Sequence, residues 1–249
     1  MVTPPDPTLV EAFTEARARV LARIGDACRR AGRGPDAVSL VAVSKTVDAE
    51  RLQAAVAAGL TLLGENRVQE ALAKVPAVPG AHWQLVGPLQ SNKARRALET
   101  FETIQSIDSV DLAERIDRLV PEVRPGPRYP VLVQVNVDLD PAKHGFQPGD
   151  VAAALPVLLA LPNLEVRGLM TVGRLTTDPA TARGTFGDLR ALSTQLRERW
   201  TGLGSELSMG MTDDFELAIE EGATIVRVGR ALFGERPHRH GPGDHDHIH

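Results

Sequence analysis

The chain has 249 residues, 43% hydrophobic and 24% charged, which suits one barrel or two small domains. A net charge of −4 gives no basic field for nucleic acid or an anionic membrane, and 4% aromatics leave few platforms for stacking bases. Cys28 is the sole cysteine, so no intrachain disulfide can form.

The N-terminus carries no signal-peptide pattern, because residues 3–7 are polar and Pro-rich and the stretch after them is charged. No apolar run is long enough to span a bilayer, and a cytoplasmic protein is expected. Residues 8–31 have a helical period: Leu9, Phe13, Ala16, Val20, Ile24 and Ala27 share one stripe. Gly32 to Pro35 end that helix.

An alternation of strands and helices follows. Residues 38–43 form a continuous apolar run that fits a strand buried on both faces. A helix over 48–58 ends at Gly59. Strands are expected at 60–63 and 83–86, with helices beginning near Asn66 and over 93–101. A strand at 103–107 and a helix over 110–120 lead to a Pro/Gly-rich connector at 121–130. Strand five covers 131–137. The helix at 151–161 contains Pro156, which should kink it or delay its start. Strand six covers 166–172, and Asp178 with Pro179 starts the next helix. A short strand at 207–209 precedes a helix with a capping-box pattern, Asp213 and Glu216, ending at Gly222. Strand eight covers 224–228.

Eight βα repeats predict a parallel sheet closed into a single (β/α)8 barrel with an extra N-terminal helix. A doubly wound open sheet is the alternative, weakened because no G-x-G-x-x-G follows the first strand. The barrel is assigned to residues 1–234. Residues 235–249, within which five of the seven histidines fall, are read as a disordered tail, since their spacing fits no closed zinc site and no metal is expected.

Function in such a barrel sits at the C-terminal ends of the strands. Lys45 follows strand one. A lone lysine there is usually solvated, but partial desolvation favours the neutral amine needed for Schiff-base chemistry. Asn66 follows strand two, as a polar contact, a helix cap or both. The turn residues after strands three to five are those any βα loop would show, and residues 140–145 form a longer loop able to act as a lid. After strands seven and eight come Ser208-Met209-Gly210-Met211-Thr212 and Gly229-Arg230, a pattern for holding phosphate: glycines for close backbone approach, hydroxyls and a cation. Arg227 lies on the face of strand eight opposite Val226 and Val228, and needs either a barrel carboxylate or a ligand.

Taken together, Ala42-Val43-Ser44-Lys45-Thr46, Gly64-Glu65-Asn66, Gly87-Pro88-Leu89-Gln90-Ser91-Asn92-Lys93, Arg167-Gly168-Leu169-Met170, Ser208-Met209-Gly210-Met211 and Val226-Arg227-Val228-Gly229 resemble the YggS/PROSC family of pyridoxal phosphate (PLP) homeostasis proteins. The resemblance runs from the first helix to Gly234. It implies a barrel like the alanine racemase N-terminal domain, without the racemase's second domain, and a Schiff base between PLP and Lys45. It further implies that Arg227 faces the pyridine nitrogen and that Ser208, Gly210, Thr212 and Gly229 hold the phosphate. The cofactor-binding set is therefore Lys45, Asn66, Ser208, Met209, Gly210, Thr212, Arg227, Gly229 and Arg230. Lys143 matches a family lysine linked to cofactor exchange. Thr212 and Arg230 stand where the family usually has serine and threonine or serine, so Arg230 points either at the phosphate or to solvent.

The implied role is a non-catalytic carrier of PLP, acting as a monomer and serving apo-enzymes that need the cofactor. The alternatives are a PLP-dependent amino-acid racemase and a Schiff-base aldolase acting on a phosphosugar. A two-base racemase needs a second acid/base opposite the lysine. Tyr129, the only tyrosine, falls before strand five at the wrong end of the barrel.

Overall fold

The computed structural model describes residues 4–174 and 176–234. The tail expected at 235–249 lies outside the described residues. Eight parallel strands close into one barrel in sequence order: β1 (Ser39–Val43), β2 (Leu62–Glu65), β3 (His82–Leu85), β4 (Thr103–Ile107), β5 (Tyr129–Gln134), β6 (Leu164–Met170), β7 (Glu206–Ser208) and β8 (Ile225–Val228). Closure is made by β8 pairing with β1, with Val41 opposite Arg227. The open-sheet alternative is thereby excluded.

Around the strands run α1 (Pro7–Arg30), α2 (Ala49–Ala57), α3 (Val68–Lys74), α4 (Ala94–Thr100), α5 (Val110–Val123), α6 (Pro148–Ala160), α7 (Pro179–Arg199), α8 (Phe215–Glu220) and α9 (Arg230–Phe233). Helix α1 is the extra N-terminal element. Asp6 caps it, accepting from the Thr8 N–H at 2.8 Å, and Pro7 takes its first position. Its predicted stripe is the buried one, and Phe13 meets Phe233 edge-on with ring centroids 5.6 Å apart. Burying each large member of that stripe contributes about 1.5–3 kcal/mol.

The apolar core has two layers. The larger lies between strands and helices. The smaller is inside the barrel and is built from Val41, Val86, Leu132, Met170 and Ile225, with Val43, Leu62 and Val172 against it. Gly64 shares that inner face. A Cβ there would come within 2.7 Å of Val41 Cγ1, so the small residue lets β2 close on β1.

Several details differ from the sequence expectation: β2 starts two residues later than expected, and β5 and β6 two residues earlier. Helix α5 runs through Pro121 to Val123, three residues into the expected connector. Helix α6 begins at Pro148, earlier than 151, and continues through Pro156. Helix α8 lacks the expected capping box. Asp214 precedes it, and its Oδ1 accepts instead from the Met211 N–H at 2.6 Å, within the loop after β7.

Candidate functional site

The inward parity of the strands decides which side chains reach the barrel mouth. On β1 it sends Val41 and Val43 inward, and Lys45 stands two residues beyond, in the turn at the strand's C-terminal end. Lys45 is half-buried in a turn whose next residue, Thr46, has φ 66°. A left-handed non-glycine residue costs on the order of 1 kcal/mol, so the turn needs outside support. On β2 the parity of Leu62 and Gly64 carries to Asn66. Asn66 is half-buried and is not the helix cap; Arg67 takes that position. The β3 loop crosses directly over it: a Cβ on Gly87 would sit 2.3 Å from the Asn66 carbonyl oxygen.

Arg227 points into the barrel from β8 and is buried. Sequence reasoning left its partner open between a carboxylate and a ligand. Among the described residues its hydrogen-bond partners are neutral. Nη1 donates to Ser208 Oγ at 2.6 Å and Nη2 to the Thr171 carbonyl at 2.7 Å. Ser208 Oγ in turn donates to Gln105 Oε1 at 2.6 Å, and Gln105 Nε2 donates to Gln84 Oε1. Burial lowers the guanidinium to about 10, and the nearby Asp214 charge opposes that shift. Burial raises Asp214 itself, against the Met211 N–H and the Arg227 charge.

This polar chain across the barrel was missed at the sequence level. The local signal was weak: Gln84 and Gln105 sit among apolar neighbours, but β4 also carries Thr103 and Ser106 and β7 also carries Glu206, so nothing in the sequence singled these three out as one chain. The chain also changes the reading of Ser208. Its hydroxyl, expected on a phosphate, is fully buried and engaged on both sides, so in this structure it holds Arg227.

The loops after β7 and β8 are stitched together. The Arg227 N–H donates to the Gly210 carbonyl at 3.0 Å, and the Gly229 N–H donates to Thr212 Oγ1 at 3.3 Å. Gly210 has φ +88°, and a Cβ on it would meet Ala218 Cβ at 2.6 Å. Met209 is fully buried and packs in the outer apolar layer. Arg230, expected either on the phosphate or in solvent, begins α9. Its side chain is exposed and ion-paired with Asp213 at the start of the β7 loop's helix.

The loop after β5 doubles back on its strand. Asn136 N–H donates to the Phe146 carbonyl and Phe146 N–H to the Gln134 carbonyl, both at 2.9 Å. Gly145, at φ +119°, permits the close approach. Lys143 fastens the loop, donating at 3.2 Å both to Asp138 Oδ2 and to the carbonyl of Val172 beyond β6. His144 lies 3.5 Å from Asp108, which burial raises above the ordinary carboxylate value while His144 opposes the rise. Tyr129 begins β5 at the opposite end of the strand. It is buried, with its hydroxyl donating to the Phe101 carbonyl at 2.8 Å.

The mouth thus gathers a primary amine (Lys45), a buried guanidinium (Arg227), and a backbone N–H beside a hydroxyl (Gly229 and Thr212). This donor set fits a phosphorylated aldehyde that carries an acceptor nitrogen. An amine can take an aldehyde, a guanidinium an acceptor atom and a glycine-lined loop an anion.

A family model for the alanine racemase N-terminal domain matches residues 19–237. The pyridoxal phosphate homeostasis protein of Pseudomonas aeruginosa is 42% identical over 228 residues, covering 90% of this chain and 96% of that one. That of Aquifex aeolicus is 40% identical over 224 residues, covering 89% and 97%. The solved structure of PipY from Synechococcus elongatus with PLP bound superposes with a TM-score of 0.78 at 41% identity, covering 89% of this chain and all of that one. Alanine racemase from Clostridium difficile shares the fold alone: TM-score 0.69 at 15% identity, over 88% of this chain and 56% of the racemase.

Proposed function

Because this chain belongs to the family of pyridoxal phosphate homeostasis proteins, we propose that it binds PLP through a Schiff base on Lys45 and buffers or delivers the cofactor without turning over a substrate of its own. The observation that supports this reading is that Lys45 follows β1 and Arg227 lies on β8, the paired strands that close the barrel.

In this reading the neutral Lys45 amine attacks the aldehyde carbon. A C–N bond forms, the carbonyl C–O bond breaks, and the oxygen leaves as water with both amine protons; hydrolysis reverses the step and releases the ligand. The Gly229 N–H, the Thr212 hydroxyl and the Gly210 backbone hold the phosphate. Asn66 lines the mouth. Arg227 donates to the pyridine nitrogen and disfavours its protonation, which weakens the ring as an electron sink and supports a carrier over a catalyst. Ser208 serves by holding Arg227, and Arg230 by pairing with Asp213. Met209 contributes packing. Tyr129, fixed at the far end, cannot act as a second base opposite Lys45. Lys143 keeps the β5 loop fastened and sets how readily the ligand leaves. Apo-enzymes that need PLP are the proposed recipients, and the monomer is the proposed working unit.

The test is a titration of the protein, stripped of ligand, with PLP. A yellow adduct that borohydride traps, lost in Lys45→Ala, is expected, followed by transfer to an apo-enzyme. A protein that stays colourless and takes up no PLP overturns the reading. Rapid racemisation of alanine would overturn the non-catalytic part alone.

A further inference from the structure

Behind the barrel wall lies a group of charges that the binding role above does not use. Ser44 and Glu65 follow the outward parity of β1 and β2, on the helix side of the sheet, and neither is exposed. There they meet Lys74, the last residue of α3, which is 9% exposed. Lys74 Nζ donates to Glu65 Oε1 at 2.6 Å and to the Ser44 carbonyl at 2.9 Å. Ser44 Oγ donates to the same Glu65 oxygen at 2.7 Å. One turn earlier on α3, Glu70 accepts the Thr46 N–H at 3.3 Å and lies 3.8 Å from Lys74 Nζ. The two peptide groups flanking Lys45 are therefore held by two side chains of one helix.

A buried ion pair of this kind is weak evidence for stability, because desolvation offsets its attraction. Here the arrangement is not even complete as a stability device. Glu65 Oε2 is buried with no hydrogen-bond partner among the described residues. What the group does accomplish is geometric. Thr46 stands in the left-handed region and would relax if released, and its neighbour Lys45 would turn with it.

Resting on the binding role proposed above, we infer that Glu65, Glu70 and Lys74 are positioning residues for Lys45. They fix the peptide planes on both sides of it from behind, so that its amine enters the mouth already aimed at an aldehyde. None of the three touches the ligand. Their effect is on covalent closure, and the phosphate grip at β7 and β8 is left intact.

The experiment separates these two steps. Stopped-flow absorbance on mixing with PLP gives the rate of adduct formation, and competition with pyridoxine 5'-phosphate, which has no aldehyde, gives noncovalent affinity. The double variant Lys74→Met/Glu65→Leu replaces the buried pair with apolar groups and is expected to fold. Its closure rate should fall ~10-fold or more, while noncovalent affinity stays within about threefold of wild type. Glu70→Ala, which removes the acceptor of the Thr46 amide and the longer contact with Lys74, should show the same split with a smaller loss, and it decides the matter if the double variant does not fold. Wild-type closure rates in a folded variant, or equal losses in both steps, overturn the inference alone. A wild-type protein that gives no reducible adduct overturns the binding reading and this inference with it.

Discussion

Arg227 Nη1 donates to Ser208 Oγ at 2.6 Å inside the barrel, and the same hydroxyl donates onward to Gln105. The guanidinium is thereby held in place by neutral groups drawn from three strands and from the end of β6. Ser208→Ala should leave both Arg227 and Gln105 one partner short in a dry interior. Urea unfolding should show a loss of about 1–3 kcal/mol, together with a shifted absorbance of the PLP adduct. Unchanged stability would mean that the hydroxyl is not what holds Arg227.

Gly210→Ala tests the phosphate loop. Its φ of +88° disfavours any side chain, and the new Cβ would lie 2.6 Å from Ala218 Cβ. A loss of more than about 1 kcal/mol in stability is expected, with PLP affinity lowered roughly tenfold as the loop shifts away from the β8 end. A variant as stable as wild type would show that the loop relaxes freely.

Thr212 and Arg230 should separate cleanly. Thr212→Val removes the hydroxyl that the Gly229 N–H reaches, and PLP affinity should fall about tenfold. Arg230→Thr removes an exposed partner of Asp213 and should change affinity by less than about threefold and stability by less than about 1 kcal/mol. Isothermal titration of both variants checks this. A large loss in Arg230→Thr would place that side chain on the ligand.

Asp108 should make stability depend on pH. Burial raises its folded value above the 3.8 of the free side chain. A raised carboxylate gives its full stability below the unfolded value and loses it as pH rises through the folded value. Asp108→Asn, which cannot ionise, should therefore gain on wild type as pH rises from about 3 to neutrality. Thermal melts across that range measure the difference, and a constant gap at all pH values would remove Asp108 from the account.

Much of this protein was legible from its residues. The βα alternation, the glycine stops and the apolar strands determined a parallel barrel, because parallel strands need crossovers and eight such units close. Position after strand one put Lys45 at the mouth, strand alternation put Arg227 on the face opposite Val226 and Val228, and the motifs carried the family. Side-chain partners were another matter. Ser208 meets Gln105 across 103 positions, Arg227 meets the Thr171 carbonyl across 56, and Lys74 grips Ser44 across 30. Local pattern reports which face a residue takes, since that depends on neighbours in the chain. Which atom a polar group meets on that face depends on strands and helices brought together by closure, and only the tertiary structure decided it.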